Sequence, residues 1–255
     1  MSERSKKFNY WTLGMILPIT ILAAWFIVAE SGSVSFLMLP PIGDVINRAL
    51  EHIASGQLFN DIGVSTLRVL KGYFLALIFG VVLGVVMGVN SKANRFFMVT
   101  FTAIRQVPML AWIPLLIMWF GIGETSKIIV IFLAAYFPIL VNTINGVEQT
   151  DQKLIEVGKI YQLSRWKIFK DIYLPSALPH IFAGMKIGVS SAWMALVGAE
   201  MIAAVSGIGF RLNDARSLLD SSTLFVGIIS IAVVGFVMDY IIQLIAKRAM
   251  PWARV

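Results

Sequence analysis

The chain has 255 residues, of which 58% are hydrophobic and only 14% charged, whereas a soluble domain carries about a quarter charged; it is a membrane protein. The net charge of +7 comes from Lys and Arg scattered over short segments between apolar runs, with no aromatic-laced basic face, which excludes a nucleic-acid partner. Cysteine is absent, so disulfide frameworks and thiolate chemistry are excluded. His52 and His180 lie far apart with no carboxylate cluster beside either, so no metal site is expected.

Arg4, Lys6 and Lys7 precede an apolar run over 11–28. It is longer than a signal-peptide core and no small-x-small cleavage site follows, so it reads as a first span. Residues 31–66 contain Pro40-Pro41, then Val45, Ile46, Ala49, Leu50 and Ile53 at helical spacing, then Ser55-Gly56. That pattern predicts an amphipathic helix with a stop, placed on the outer face near the membrane interface.

A second span is expected over 67–89, with Gly80, Gly84 and Gly88 on one helix face. Small residues so placed let a neighbouring helix approach closely, and they carry no chemistry of their own. A basic loop over 91–95 leads to a third span over 97–120, which contains Arg105, Pro108 and Pro114. The fourth span, 128–147, holds Pro138. A polar loop over 148–180 precedes a fifth span over 181–205 and a sixth over 224–246, joined by a segment with Gly207, Gly209, Arg211, Asp214 and Arg216.

The expectation is therefore an all-α, polytopic membrane protein of about six spans, with 1–255 forming one domain. Six spans put both ends on one side. Placing the termini, 91–95 and the polar loop in the cytoplasm puts about thirteen Lys and Arg inside against about six outside, the orientation the positive-inside rule favours. There is no internal repeat, and no G-x-x-x-x-G-K-[ST] loop to hold phosphates.

The polar loop is the longest such run in the chain. Thr150 or Asp151 can cap a short helix in which Leu154, Ile155, Val157 and Ile160 lie largely on one side. Ser164 can cap a second helix over 165–172, which Leu174-Pro175 should end, because the residue before a proline is pushed out of the α region. Two readings of this pair stand: a knob that docks into a protein groove, or an amphipathic hairpin whose Lys153, Lys159, Arg165, Lys167 and Lys170 face anionic lipid headgroups.

Glu156, Ile172, Leu174 and Pro175 stand at the spacing E-x15-I-x-L-P. This resembles the EAA loop of ATP-binding-cassette importer permeases. The stretches LPPIGDVINRAL, STLRVLKGYFLALIFGVVLGVVMGV, RQVPMLAWIPLLIMWFGIGE, FPILVNTINGV and GAEMIAAVSGIGF are similar to those of the subfamily serving nitrate, sulfonate, taurine and bicarbonate importers. Two positions depart from the family pattern: Gln162 stands where a glycine is usual, and Gly158 where an alanine is usual.

The resemblance implies a permease in the bacterial inner membrane, not an enzyme, working as a pair, usually a homodimer. Two ATPase subunits would bind ATP and magnesium, this chain holding no cofactor itself, and an external binding protein would deliver a small anion. The subfamily also includes importers of aromatic carboxylates and of vitamin precursors. The coupling residues it implies are Ile155, Glu156, Ile160, Gln162, Ser164, Arg165, Trp166, Ile172, Leu174 and Pro175. Ile155 and Ile160 would fill a groove on the ATPase, and Arg165 and Trp166 would lie at its rim. Two other classes compete: an ion-coupled secondary transporter, for which inverted repeats are wanting, and a membrane anchor that recruits a cytoplasmic protein.

Within the spans, ionisable residues are costly and face a cavity or a partner. Arg105 and Glu200 are such residues. Arg105, on a proline-bent span, either favours an anion in transit or snorkels to the interface or pairs with a carboxylate. Glu200 lies nearer the outer face, so a direct pair with Arg105 is not expected, and Lys127, Arg211 or Arg216 are its expected partners. Pro108, Met109 and Trp112 of the third span, with Trp193 and Met194 of the fifth, offer either an apolar constriction along the pathway or ordinary packing.

Overall fold

The computed structural model describes residues 3–252, with side chains described from residue 13 onward. All regular elements among the described residues are helical. In chain order they are α1 (Glu3–Glu30), α2 (Ile42–Ala54), α3 (Gln57–Val89), α4 (Ser91–Gln106), α5 (Met109–Phe120), α6 (Glu124–Glu148), α7 (Gln152–Ile160), α8 (Arg165–Ile168), a π-helical turn (Phe169–Tyr173), α9 (Leu174–Ala203), α10 (Ile208–Ser217) and α11 (Ser221–Ala249). Five segments, within α1, α3, α6, α8–α9 and α11, are long and apolar enough to cross a membrane, and the pair α4 and α5 adds a sixth if it counts as one broken span.

The single helix expected over 97–120 is not formed. α4 and α5 meet at 96°, because Val107, the residue before Pro108, is driven to extended backbone (φ −75°, ψ 122°). Pro108 then precedes α5, where its missing N–H costs nothing. Pro114 and Pro138 lie inside their helices without ending them.

The chain divides into two compact units, Met1–Phe59 with Arg211–Ile229, and Asn60–Phe210 with Ser230–Val255. In the first, the Trp25 indole donates to the Pro40 carbonyl at 3.0 Å and stacks 4.7 Å from Phe225. His52 of α2 lies 3.2 Å from the Thr223 hydroxyl, and that hydroxyl donates to Asp220 at 2.8 Å.

The second unit is built around α6. Over half of its apolar window is buried, 56% against 17% for α11, because glycine faces of two neighbours close on it. On α3, Gly72, Gly80, Gly84 and Gly88 lie against Ile131, Ile139, Thr143 and Val147 of α6, and added Cβ atoms at Gly84 and Gly88 would come within 2.7 and 2.6 Å of Thr143 and Val147. On α9, Gly184 and Gly188 meet an adjoining face of α6 at Pro138, Ile139 and Ala135, with Ile139 touched from both α3 and α9. The close approach expected of Gly80, Gly84 and Gly88 is thus to α6. The Tyr73 hydroxyl donates to the Met185 carbonyl at 2.9 Å, joining α3 to α9.

Candidate functional site: the polar loop, a buried ion cluster and a charged hollow

The loop after α6 folds as two capped helices. The Asp151 carboxylate accepts from the Lys153 N–H at 2.9 Å, and the Ser164 hydroxyl accepts from the Lys167 N–H at 3.2 Å. α7 ends with Gln162 in the left-handed region, φ +51°. The Leu163 N–H donates to the Gly158 carbonyl and the Gln162 N–H to the Lys159 carbonyl, the paired bonds that normally close on glycine. Gln162 adopts the glycine conformation at a cost of about 1–2 kcal/mol.

The sides of α7 are unequal. Ile155 is buried, and Gly158 lies against Ile168 and Ile172 of the following segment. The groove-filling part expected of Ile155 is therefore not available to it; it holds α7 onto its own chain. The outward apolar surface is Leu154, Val157, Ile160, Tyr161 and Trp166, with Ile160 78% exposed. Trp166 is braced by Phe169, ring centres 5.5 Å apart. Glu156 and Arg165 are exposed beside this surface.

The second helix does not stop at Leu174-Pro175. Leu174 is helical (φ −63°, ψ −48°) and its N–H reaches back to the Phe169 carbonyl. The wider π turn carries the chain into α9, and Pro175 falls in the first turn of that helix, where no intrahelical donor is required of it. Leu174 and Pro175 are thus the foot of α9. At the base of α6, the Asn94 amide of α4 donates to Glu148 at 2.7 Å.

A second constellation joins α3, α6 and α9. Arg68 is buried, with its Nε and Nη2 donating to the two oxygens of Glu124 at 2.8 and 2.6 Å. Its Nη1 donates to Glu200 at 2.7 Å and to the Ser206 carbonyl at 2.8 Å. Glu200, 1% exposed, also accepts from the Ser65 hydroxyl and the Gly209 N–H, each at 2.9 Å. Gly207, at φ +107°, has the place of a Cβ filled by the Glu200 carboxylate.

Glu200 is thus enclosed and saturated, and its partner is Arg68, not the expected Lys127, Arg211 or Arg216. Lys127 instead lies 3.7 Å from Glu124. Ser65 and Arg68 are one helical turn apart, but Arg68 stands at the edge of the expected span over 67–89, one residue inside its start, so it reads in the sequence as an interfacial charge.

The third constellation is a hollow of about 890 Å³ walled by α4, α5, α6, α9 and α11. It brings together Arg105, Pro108, Met109 and Met194, four residues marked from the sequence. Arg105 stands in the last turn of α4, exposed, beside the Val107–Pro108 break. Trp193 is not part of it: the ring is buried, and its N–H donates to the Ile231 carbonyl of α11 at 3.0 Å. Trp112 is half-buried, with a buried indole N–H that meets no acceptor among the described residues. The hollow also contains Lys186 and Asp239, paired at 3.3 Å.

A helical chain with a polar two-helix knob between spans and a charged hollow beside it has the parts of a transport permease, and the comparison with known families gives the class. Residues 76–251 match the family described as binding-protein-dependent transport system inner membrane component, and the chain belongs to that family. It is 35% identical over 242 residues to the putative aliphatic sulfonates transport permease protein of Bacillus subtilis, covering 95% of this chain and 88% of that one. It is 34% identical to the taurine transport system permease protein of Escherichia coli over 94% of this chain and 90% of that one. To the nitrate import permease protein of Leptolyngbya laminosa it is 36% identical over 76% of this chain and 70% of that one.

The fold is similar to that of a chain of the methionine ABC transporter MetNI in an inward-facing conformation. The TM-score is 0.68 at 16% identity, covering 76% of this chain and 97% of that chain. The protein is a multi-pass membrane transport component and not an enzyme. Permeases of this family associate with ATPase and substrate-binding partners, generally as a dimer.

Proposed function

We propose that this chain is the membrane subunit of an ATP-driven importer of a small anion of the sulfonate, taurine, nitrate or bicarbonate class. Two copies form the pathway, an external binding protein delivers the anion, and two ATPase subunits, which alone hold ATP and magnesium, dock on the loop 148–180. Both termini and that loop lie in the cytoplasm, and the protein resides in the bacterial inner membrane.

The observation that carries this reading is the knob. Leu154, Val157, Ile160, Tyr161 and Trp166 form an outward apolar surface on a helix pair whose own packing is satisfied by Ile155, Gly158 and Ile168. An apolar cluster of this kind on a polar loop fits a protein groove. Lys and Arg near it favour the cytoplasmic side. The relatives' names favour an anionic cargo, and Arg105 in the hollow supplies the charge such a cargo needs when it sheds part of its water.

The test is uptake of radiolabelled taurine and nitrate by proteoliposomes holding the chain with its ATPase and binding protein. Uptake that requires ATP and stops with vanadate supports the proposal. Uptake driven by an ion gradient without ATP overturns it in favour of a secondary transporter, and uptake of neither anion overturns the cargo.

A further inference from the structure

Lys186 and Asp239 pair at 3.3 Å while remaining 48% and 30% exposed. Lys186 lies five positions, about 8 Å, inside the start of the span over 181–205 at 1.5 Å per residue. Asp239 lies seven positions, about 11 Å, inside the end of the span over 224–246. Charges inside spans are not left against lipid; they face water or protein. Both line the hollow that contains Arg105, so its walls carry two cations and one anion.

Arg105 makes no ion pair with any described residue, and its exposed guanidinium is free to meet a passing group. Lys186 differs in being held. The pair at 3.3 Å is open on one side, and a half-exposed ion pair costs little to exchange because water screens both partners. Ser190, one turn after Lys186 on the same helix, and Asn142 of α6 add polar side chains to the same wall.

We propose that Arg105 and Lys186 form an anion-holding station on the permease's own wall, with Asp239 as the resident counter-ion that Lys186 exchanges for the transported anion. The ligand class is a monovalent oxyanion. Asp239 offsets one of the two cations between passages, so the wall keeps a single net positive charge, and it limits how long an anion stays, since it competes for the same ammonium. The station rests on the transport reading above and adds to it a site at which the permease itself engages the cargo.

The test uses the absence of native cysteine. In the full complex, Ser190→Cys is labelled with the anionic 2-sulfonatoethyl and the cationic 2-trimethylammonioethyl methanethiosulfonates, each rate divided by that for free glutathione. The anionic reagent is expected to be faster by about three- to tenfold, the effect of one unit charge a few ångströms away in a partly hydrated site. Lys186→Gln should abolish the preference, Lys186→Arg should keep it, and Asp239→Asn should raise it by a similar factor. Ser191→Cys, on the same wall, repeats the measurement should Ser190→Cys lose its ATPase. A cationic preference, a preference indifferent to Lys186→Gln and Asp239→Asn, or inaccessibility to both reagents at both positions would overturn the station. These outcomes leave ATP-dependent uptake of anions standing, whereas failure of uptake with the labelling pattern intact would count against the importer reading alone.

Discussion

Arg68 and Glu200 are 132 positions apart in the chain and 2.7 Å apart in the fold, both buried. The guanidinium spans two carboxylates, Glu124 at the start of α6 and Glu200 late in α9, and its Nη1 also reaches the Ser206 carbonyl of the loop after α9. The cluster is a clamp on three helices and one connection, with Arg68 and Glu200 enclosed and Glu124 exposed at its rim.

Glu200→Gln should lower the apparent melting temperature of the purified permease sharply, because removing one partner of a buried pair costs about 3–5 kcal/mol. Arg68→Met should do the same by stranding Glu200. The double variant Arg68→Met/Glu200→Met should lose less than the sum of the singles. Unchanged melting with altered uptake per folded molecule would return Glu200 to the pathway.

Substitutions along α3 should separate by what each glycine faces. Gly84→Ala, whose Cβ would sit 2.7 Å from the Thr143 Cβ, should destabilise by about 1–3 kcal/mol, while Gly63→Ala, with nothing within 4 Å, should be neutral or slightly stabilising. Thermal denaturation of the two variants side by side decides it.

On α7, neighbouring isoleucines should give opposite phenotypes. Ile160→Asp, at an exposed position, should leave the permease folded and inserted while the ATPase no longer co-purifies. Ile155→Asp buries a carboxylate among Gly158 and its neighbours and should unfold the knob. Protease susceptibility within 148–180, measured with ATPase recovery, tells the two apart.

Gln162→Gly should be tolerated and modestly stabilising, by up to about 1 kcal/mol, because it relieves the left-handed backbone at φ +51°. Gln162→Val should destabilise the loop, as a β-branched residue is poorly accommodated there. The stability of the ATPase complex is the readout.

Much of the architecture was legible in the sequence, and the reasons it was partial are physical. Apolar runs of spanning length located the helices, since lipid demands them whatever the tertiary packing. The glycine spacing on α3 announced a close neighbour without saying which, because a stripe of small residues fits any helix of matching shape. Pro108 and Pro114 look alike in the sequence, yet Val107 before the first is extended and Ile113 before the second stays within α5, so a proline alone does not say which will break the helix. Arg68 escaped notice for a related reason: beside Lys71 at a span edge it reads as solvated, and only the fold brings Glu124 and Glu200 to it. Ile155 and Ile160 lie about 140° apart around α7 at 3.6 residues per turn, so both cannot face one groove, but only the fold shows that Ile155 is the buried one and Ile160 the exposed one.

Docking of an ATPase on the knob after α6, on the cytoplasmic side, can be read out by crosslinking. Ile160→Cys would be the single thiol of the chain, and a short maleimide–benzophenone crosslinker attached there reports whatever lies against it on illumination. The expected product is an adduct of permease with ATPase, formed in inverted membrane vesicles and blocked by the Trp166→Asp substitution, with no labelling of the thiol by impermeant maleimide added outside intact cells. Labelling from outside, or illumination in the presence of the ATPase that yields lipid adducts alone, would contradict it.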